Sequence, residues 1–169
     1  MTEIVAEKWE EVAAREALLD LCMGPARFEK AAHGPDGRLA ATVRLWHISA
    51  GPGKPALLLG PLAVHPWFRA RGLGGDMMRV ALAEADARGH GAVLLVGDAP
   101  YYQRFGFSAR MTGDLWMPGR YDPRRLLALE LRPGVLNGAR GLISPTGTLE
   151  EKPSLADLIA RSDVMKRSA

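Results

Sequence analysis

Cysteine is almost absent from this chain. Cys22 is the only one in 169 residues, which excludes an intrachain disulfide framework and fits a reducing compartment. Beside an apolar helical stretch it reads as a small buried hydrophobe. His33, His47 and His90 stand isolated in the sequence, so no metal-ligand set is expected. Lysine–arginine blocks are missing as well. The formal charge is only +3, and no basic stripe is interleaved with aromatics, so nucleic acid is not an expected partner. No apolar run approaches the roughly 20 residues of a membrane span. The opening MTEIVAEKWEE is acidic, unlike a secretory signal. The expectation is a cytoplasmic protein without a membrane partner. Two phosphate-binding signatures are also lacking. There is no GxxxxGK[ST], and in GLGGDM Met77 occupies the place of the third glycine of a dinucleotide fingerprint.

Glycine and proline, by contrast, are plentiful at 19 and 12, which points to many turns. The length suits one domain with a single sizeable core. The expected organisation is a domain over 1–150 and a C-terminal helical extension over 151–169. Residues 9–23 read as a helix, with Val12, Leu18, Leu19 and Cys22 near helical spacing and Gly24-Pro25 ending it. Alternation predicts a strand over 39–48, and Gly51-Pro52-Gly53 turns it into a second strand over 56–64. Residues 72–89 give the strongest helical pattern, with Met77, Met78, Ala81, Leu82 and Ala85 on one face. A buried, parallel-type strand follows at 92–96, then a brief helix at 100–105 closed by Gly106. Strands are expected at 108–116 and 124–131, a short stretch around Leu142-Ile143, and a helix over 154–165 opened by Ser154 and Asp157.

The stretch LLLGPLAVHPWFRARGLGG carries the chemistry. An apolar strand breaks at Pro66 and delivers Arg69, Arg71, Gly72, Gly74 and Gly75 to a helix start. Glycines let backbone amides approach a ligand, and amides at a helix N-terminus favour anions. Two arginines add donors and positive charge. The pattern reads as a phosphate or pyrophosphate cradle inside a β-α-β unit flanked by antiparallel strands.

At these residues the chain resembles the GCN5-related N-acetyltransferase superfamily, and within it the YhbS-like bacterial branch. The motif [Q/R]-x-x-G-x-[G/A] appears as Arg69-Ala70-Arg71-Gly72-Leu73-Gly74, after LGPLAVHP and before GDAPYYQRFGF, which holds Y-x-x-x-G-F from Tyr102 to Phe107. TVRLW and LWMPG extend the likeness. It implies a mixed α/β fold with a twisted mixed sheet, and an acetyl-CoA-dependent N-acetyltransferase. Acetyl-CoA would be held by Leu62, Ala63 and Val64 along the pantetheine arm and by Arg69, Arg71, Gly72, Leu73, Gly74 and Gly75 at the pyrophosphate. The Val64 amide would face the oxyanion and Tyr102 would act as general acid beside the sulfur. Tyr101 is expected to point elsewhere, since adjacent helical residues diverge. The general base stays open among His65, Asp98 and water. The acceptor would be a small-molecule amine or a protein N-terminus, with a homodimer as candidate assembly. A non-catalytic acyl-CoA sensor of the same fold is the alternative. Relatives carry a helix and strand where ARFEK here runs almost directly into AAHGPDGRLAAT. That passage leaves room for little beyond a turn, and a join across missing residues near Lys30-Ala31 is favoured over a shortened member.

Overall fold

The computed structural model describes residues 27–33 and 39–147. The helices expected at 9–23 and 154–165 lie outside these residues, as does the extension over 151–169. Among these residues seven strands form one mixed sheet. They are β1 (Arg27–His33), β2 (Leu39–Ala50), β3 (Pro55–Val64), β4 (Ala92–Val96), β5 (Leu115–Trp116), β6 (Leu126–Glu130) and β7 (Gly141–Pro145). The order is β5-β7-β2-β3-β4-β6, with β1 also on β2.

The expected hairpin is present. β2 and β3 are antiparallel, and the turn between them uses Gly51 at φ 84° and Gly53 at φ 70°. A side chain at Gly51 would also collide with the Arg140 carbonyl. β3 then crosses through helix α1 (Leu73–Ala87) to β4, which lies parallel to it. Met77, Met78, Ala81 and Ala85 of α1 are buried against Val43, Leu45, Leu57, Val93 and Leu95. The opposite face packs Ile48, Ala56, Leu94, Leu126, Leu136 and Ile143. This two-sided burial explains the unbroken apolar run of β4. Among the described residues no helix is long and apolar enough to cross a membrane.

Two expectations are corrected. The passage at Lys30–Ala32 is neither a turn nor a break, because β1 runs through it in continuous antiparallel register, from Arg27 opposite Trp46 to Ala32 opposite Ala41. Lys30 also bonds Glu84 of α1 at 3.1 Å. The edge of β2 supplies the free backbone groups that RFEKAAH pairs with, which local composition does not announce. Residues 109–114 form no strand. Only a Ser108–Ala128 bridge and the two-residue β5 remain of 108–116. Thr112 turns its hydroxyl inward to donate to the Leu126 carbonyl at 2.7 Å, and its amide closes a turn on Ala109. The same hydroxyl also reaches the Ala109 carbonyl at 3.1 Å, a local side-chain bond that competes with a ladder.

Where α1 ends, His90 meets His47 of β2 with ring centroids 5.1 Å apart. Partial burial first, then the charges of His47 and Arg88, lower the His90 pKa below the ordinary histidine value. The unfolded chain therefore binds this proton more tightly. The stabilisation is complete above the unfolded value of about 6.5 and is lost as pH falls through and below it. The thermal midpoint is expected to drop on acidification below about pH 6.5, with a shallower slope in His90→Gln. Melting curves across pH check this, and parallel slopes would remove His90 from the acid sensitivity.

Candidate functional site

β3 and β4 stay paired only at Leu57–Val93 and Leu58–Leu94. Beyond this point β3 leaves its neighbour and an open cleft of roughly 400 Å³ lies between the strand end, the following turn and the start of α1. Its walls are Leu62, Val64, Phe68, Arg69, Ala70, Gly72, Leu73, Gly74, Gly75, Tyr101 and Arg104. The volume falls within the range of small-molecule sites.

Register decides what the strand offers to the cleft. The His65 amide donates to the Ala40 carbonyl at 2.8 Å, which makes that pair a hydrogen-bonded one. Antiparallel alternation then makes Ala41–Val64 and Val43–Leu62 non-hydrogen-bonded pairs. Leu62 and Val64 thus turn both backbone amides and carbonyls away from β2, toward the space β4 has vacated. The Val64 carbonyl accepts from Arg69 Nε at 3.2 Å.

The turn and helix supply donors. His65 Nδ1 accepts from the Trp67 amide at 3.3 Å, shaping a 3-10 turn over Pro66–Phe68. Ala70 adopts φ 59°, uncommon for a residue with a Cβ, and Gly72 follows at φ 83° as the N-cap of α1. No side-chain cap bond is made at Gly72. The Gly75 amide donates to the Gly72 carbonyl at 2.8 Å, which leaves the Leu73 and Gly74 amides facing the helix start, where the dipole favours an anion. Asp76, the acid of the first turn, is engaged by Arg79 at 2.6 Å, and among the described residues no carboxylate lines the cleft. A Cβ at Gly74 would point at the Tyr101 hydroxyl and Val64, both 3.5 Å away, which places this glycine on the cleft wall.

Most of the expected residues meet here. Leu62, Val64, Arg69, Gly72, Leu73, Gly74 and Gly75 line the cleft, whereas Ala63, Arg71 and Tyr102 do not. Ala63 lies on the alternate face of β3, and Arg71 is exposed in the turn. The expectation for Tyr101 is corrected, because it is the tyrosine that forms the wall. It belongs to the short helix α2 (Ala99–Tyr102) and carries the Arg104 guanidinium 3.9 Å over its ring. The two residues do diverge, but α2 runs along the cleft, so its outward side is lining. Residues 101 and 104 share that side at helical spacing, the signal that would have found Arg104. Tyr102 packs instead over Gly97 at the end of β4, where a Cβ would meet its ring at 2.2 Å. Its ring lies edge-on to Tyr101 and Phe107. Burial, then the neighbouring Tyr101 and Asp98, raise the Tyr102 pKa above the ordinary tyrosine value, with Arg125 opposing. The exposed Asp98 caps α2 through its carbonyl, while its carboxylate makes no capping bond.

Residues 29–109 match the profile of the acetyltransferase (GNAT) domain. Over 125 residues the chain is 33% identical to the uncharacterized N-acetyltransferase YjhQ of Escherichia coli K12, covering 70% of this chain and 61% of that protein. Over 85 residues it is 31% identical to YhbS of the same strain, covering 50% and 51%. The chain spans about half to three-fifths of the length of the curated relatives it matches. Among solved structures, Escherichia coli YhbS in complex with CoA superposes with a TM-score of 0.62 at 26% identity, covering 68% of this chain and 64% of that one. A GNAT family acetyltransferase from Brucella melitensis in complex with acetyl-CoA gives 0.56 at 25% identity, covering 83% and 79%.

Proposed function

This chain belongs to the GCN5-related N-acetyltransferase superfamily, among its YhbS-like members, and from that premise we propose that it moves an acetyl group from acetyl-CoA directly to a primary amine. The carrying observation is the cleft itself: the uncapped Leu73 and Gly74 amides at the start of α1, no carboxylate among the described lining residues, and two strand amides facing a gap in the sheet. These features fit a long ligand with a pyrophosphate at one end and amide groups along its arm. Solved relatives bound to CoA and acetyl-CoA support the same reading.

Acetyl-CoA supplies the activated acetyl group as a thioester. The amides of Gly72, Leu73 and Gly74 would hold the pyrophosphate, with Arg69 and Arg71 adding positive charge around it and Arg104 facing it from the α2 wall. Gly75, whose amide is bonded to the Gly72 carbonyl, leaves room for its approach. Leu62 and Val64 form the rail for the pantetheine arm, with Ala63 between them paired to β2. Val64 directs its amide at the carbonyl oxygen, where negative charge develops. Tyr102 donates its proton to the departing sulfur. Asp98 takes the proton of the amine, directly or through water, since its carboxylate is uncommitted while His65 Nδ1 already accepts a backbone bond. A small-molecule amine or a protein N-terminus is the acceptor.

A thiol-release assay with acetyl-CoA across an amine and peptide library tests the proposal. Calorimetric CoA binding and amine-dependent thiol release are expected. CoA binding with no release for any amine would favour an acyl-CoA sensor, and absence of CoA binding would reject both.

A further inference from the structure

Trp46 sits in β2 at 2% exposure, and its indole N–H donates to the Gly60 carbonyl at 2.5 Å. Gly60 marks a change in β3. Up to it the β2–β3 register pairs Leu45 with Leu59; beyond it Val43 pairs with Leu62, one residue out of step. The side chains record the same shift. Leu57 and Leu59 face α1, and so do Leu62 and Val64 rather than Pro61 and Ala63. A one-residue change of register exchanges the faces of every later residue and the direction of its backbone groups. Without it, Pro61 and Ala63 would face the cleft, and proline has no amide to offer. The amides of Leu62 and Val64 would instead turn into the ladder with β2. Gly60 adopts φ 143° there, a conformation that side chains rarely take.

We propose that Trp46 is a positioning residue for acyl-CoA engagement: its N–H holds the Gly60 carbonyl and fixes the register that turns the Leu62 and Val64 amides into the cleft. This rests on the acetyl-CoA reading and extends it to a residue on the sheet face opposite α1. Trp46 acts through the β3 backbone. The nucleotide end of the ligand, held at the start of α1, is independent of it.

The test is Trp46→Phe, read by calorimetry with CoA and, separately, with 3′-phosphoadenosine 5′-diphosphate, which keeps the pyrophosphate and lacks the pantetheine arm. CoA affinity is expected to fall about tenfold, the scale of one lost hydrogen-bond constraint, with the diphosphate unchanged. Equal CoA affinity in the folded variant, or equal weakening of both ligands, would overturn the proposal. If the phenylalanine variant does not fold, 3-benzothienylalanine at position 46 keeps the bicyclic shape and removes only the N–H. Amide exchange reads the register without ligand. Ala63 is expected to lose protection in either variant, and an unchanged Ala63 amide would overturn the tether. Wild type that fails to bind CoA would reject the acetyl-CoA reading while leaving the exchange result to decide the tether.

Discussion

Gly74→Val is expected to abolish measurable CoA binding, at least about a 100-fold rise in Kd, in a protein that melts no lower than wild type. The added Cβ would meet the Tyr101 hydroxyl and Val64 at 3.5 Å and Leu62 at 3.8 Å, ordinary contacts for the Cβ, and the γ-methyls of valine reach beyond it into the cleft. Gly74 lies inside α1, where glycine is the weakest helix former apart from proline, by up to about 1 kcal/mol against alanine. The helix therefore gains or holds stability while the cleft fills. Binding loses close approach to two or more amides, each worth roughly 1.5–3 kcal/mol toward a charged partner, and 1.4 kcal/mol is about tenfold. Gly74→Ala should fall between, with a slightly raised melting temperature. Opposite movement of the two readouts is the signature. Calorimetry beside thermal melts checks it, and CoA affinity unchanged in the folded valine variant would remove α1 from ligand binding.

Tyr102→Phe should lower kcat about 10- to 1,000-fold, the scale of one positioned proton transfer, with little change in acetyl-CoA affinity. The substitution keeps the ring that fills the space over Gly97 and deletes only the donor. Because burial raises the Tyr102 pKa, its hydroxyl keeps its proton past the ordinary tyrosine value. Wild-type activity should therefore decline only above about pH 10, and the phenylalanine variant should lack that decline. Tyr101→Phe is the matched comparison. Its hydroxyl borders Gly74, so its loss should change CoA affinity more than kcat. Full pH–rate profiles with the best amine check both. If Tyr101→Phe lost the turnover and Tyr102→Phe kept it, the acid role would pass to Tyr101.

The sequence alone determined the elements whose signals are local. The alternation of 39–48, the Gly51-Pro52-Gly53 turn and the apolar face of 72–89 each specify an element through a few neighbours, and β2, β3 and α1 follow them. The candidate cradle was legible for the same reason. Its chemistry resides in consecutive backbone amides of one turn and one helix start, so order along the chain is also order in space. Tertiary structure alone decided what depends on partners distant in sequence. β1 exists because the edge of β2 has backbone groups to pair, although RFEKAAH carries little strand character. Residues 109–114 turn because Thr112 finds the Leu126 carbonyl. Which of two adjacent tyrosines faces the cleft was fixed by the path of α2 along it, and which strand amides face the gap by the register change at Gly60. A helical or strand period places side chains relative to their own element. Only packing against another element, here through the Trp46 indole and the end of β4, sets what that element faces.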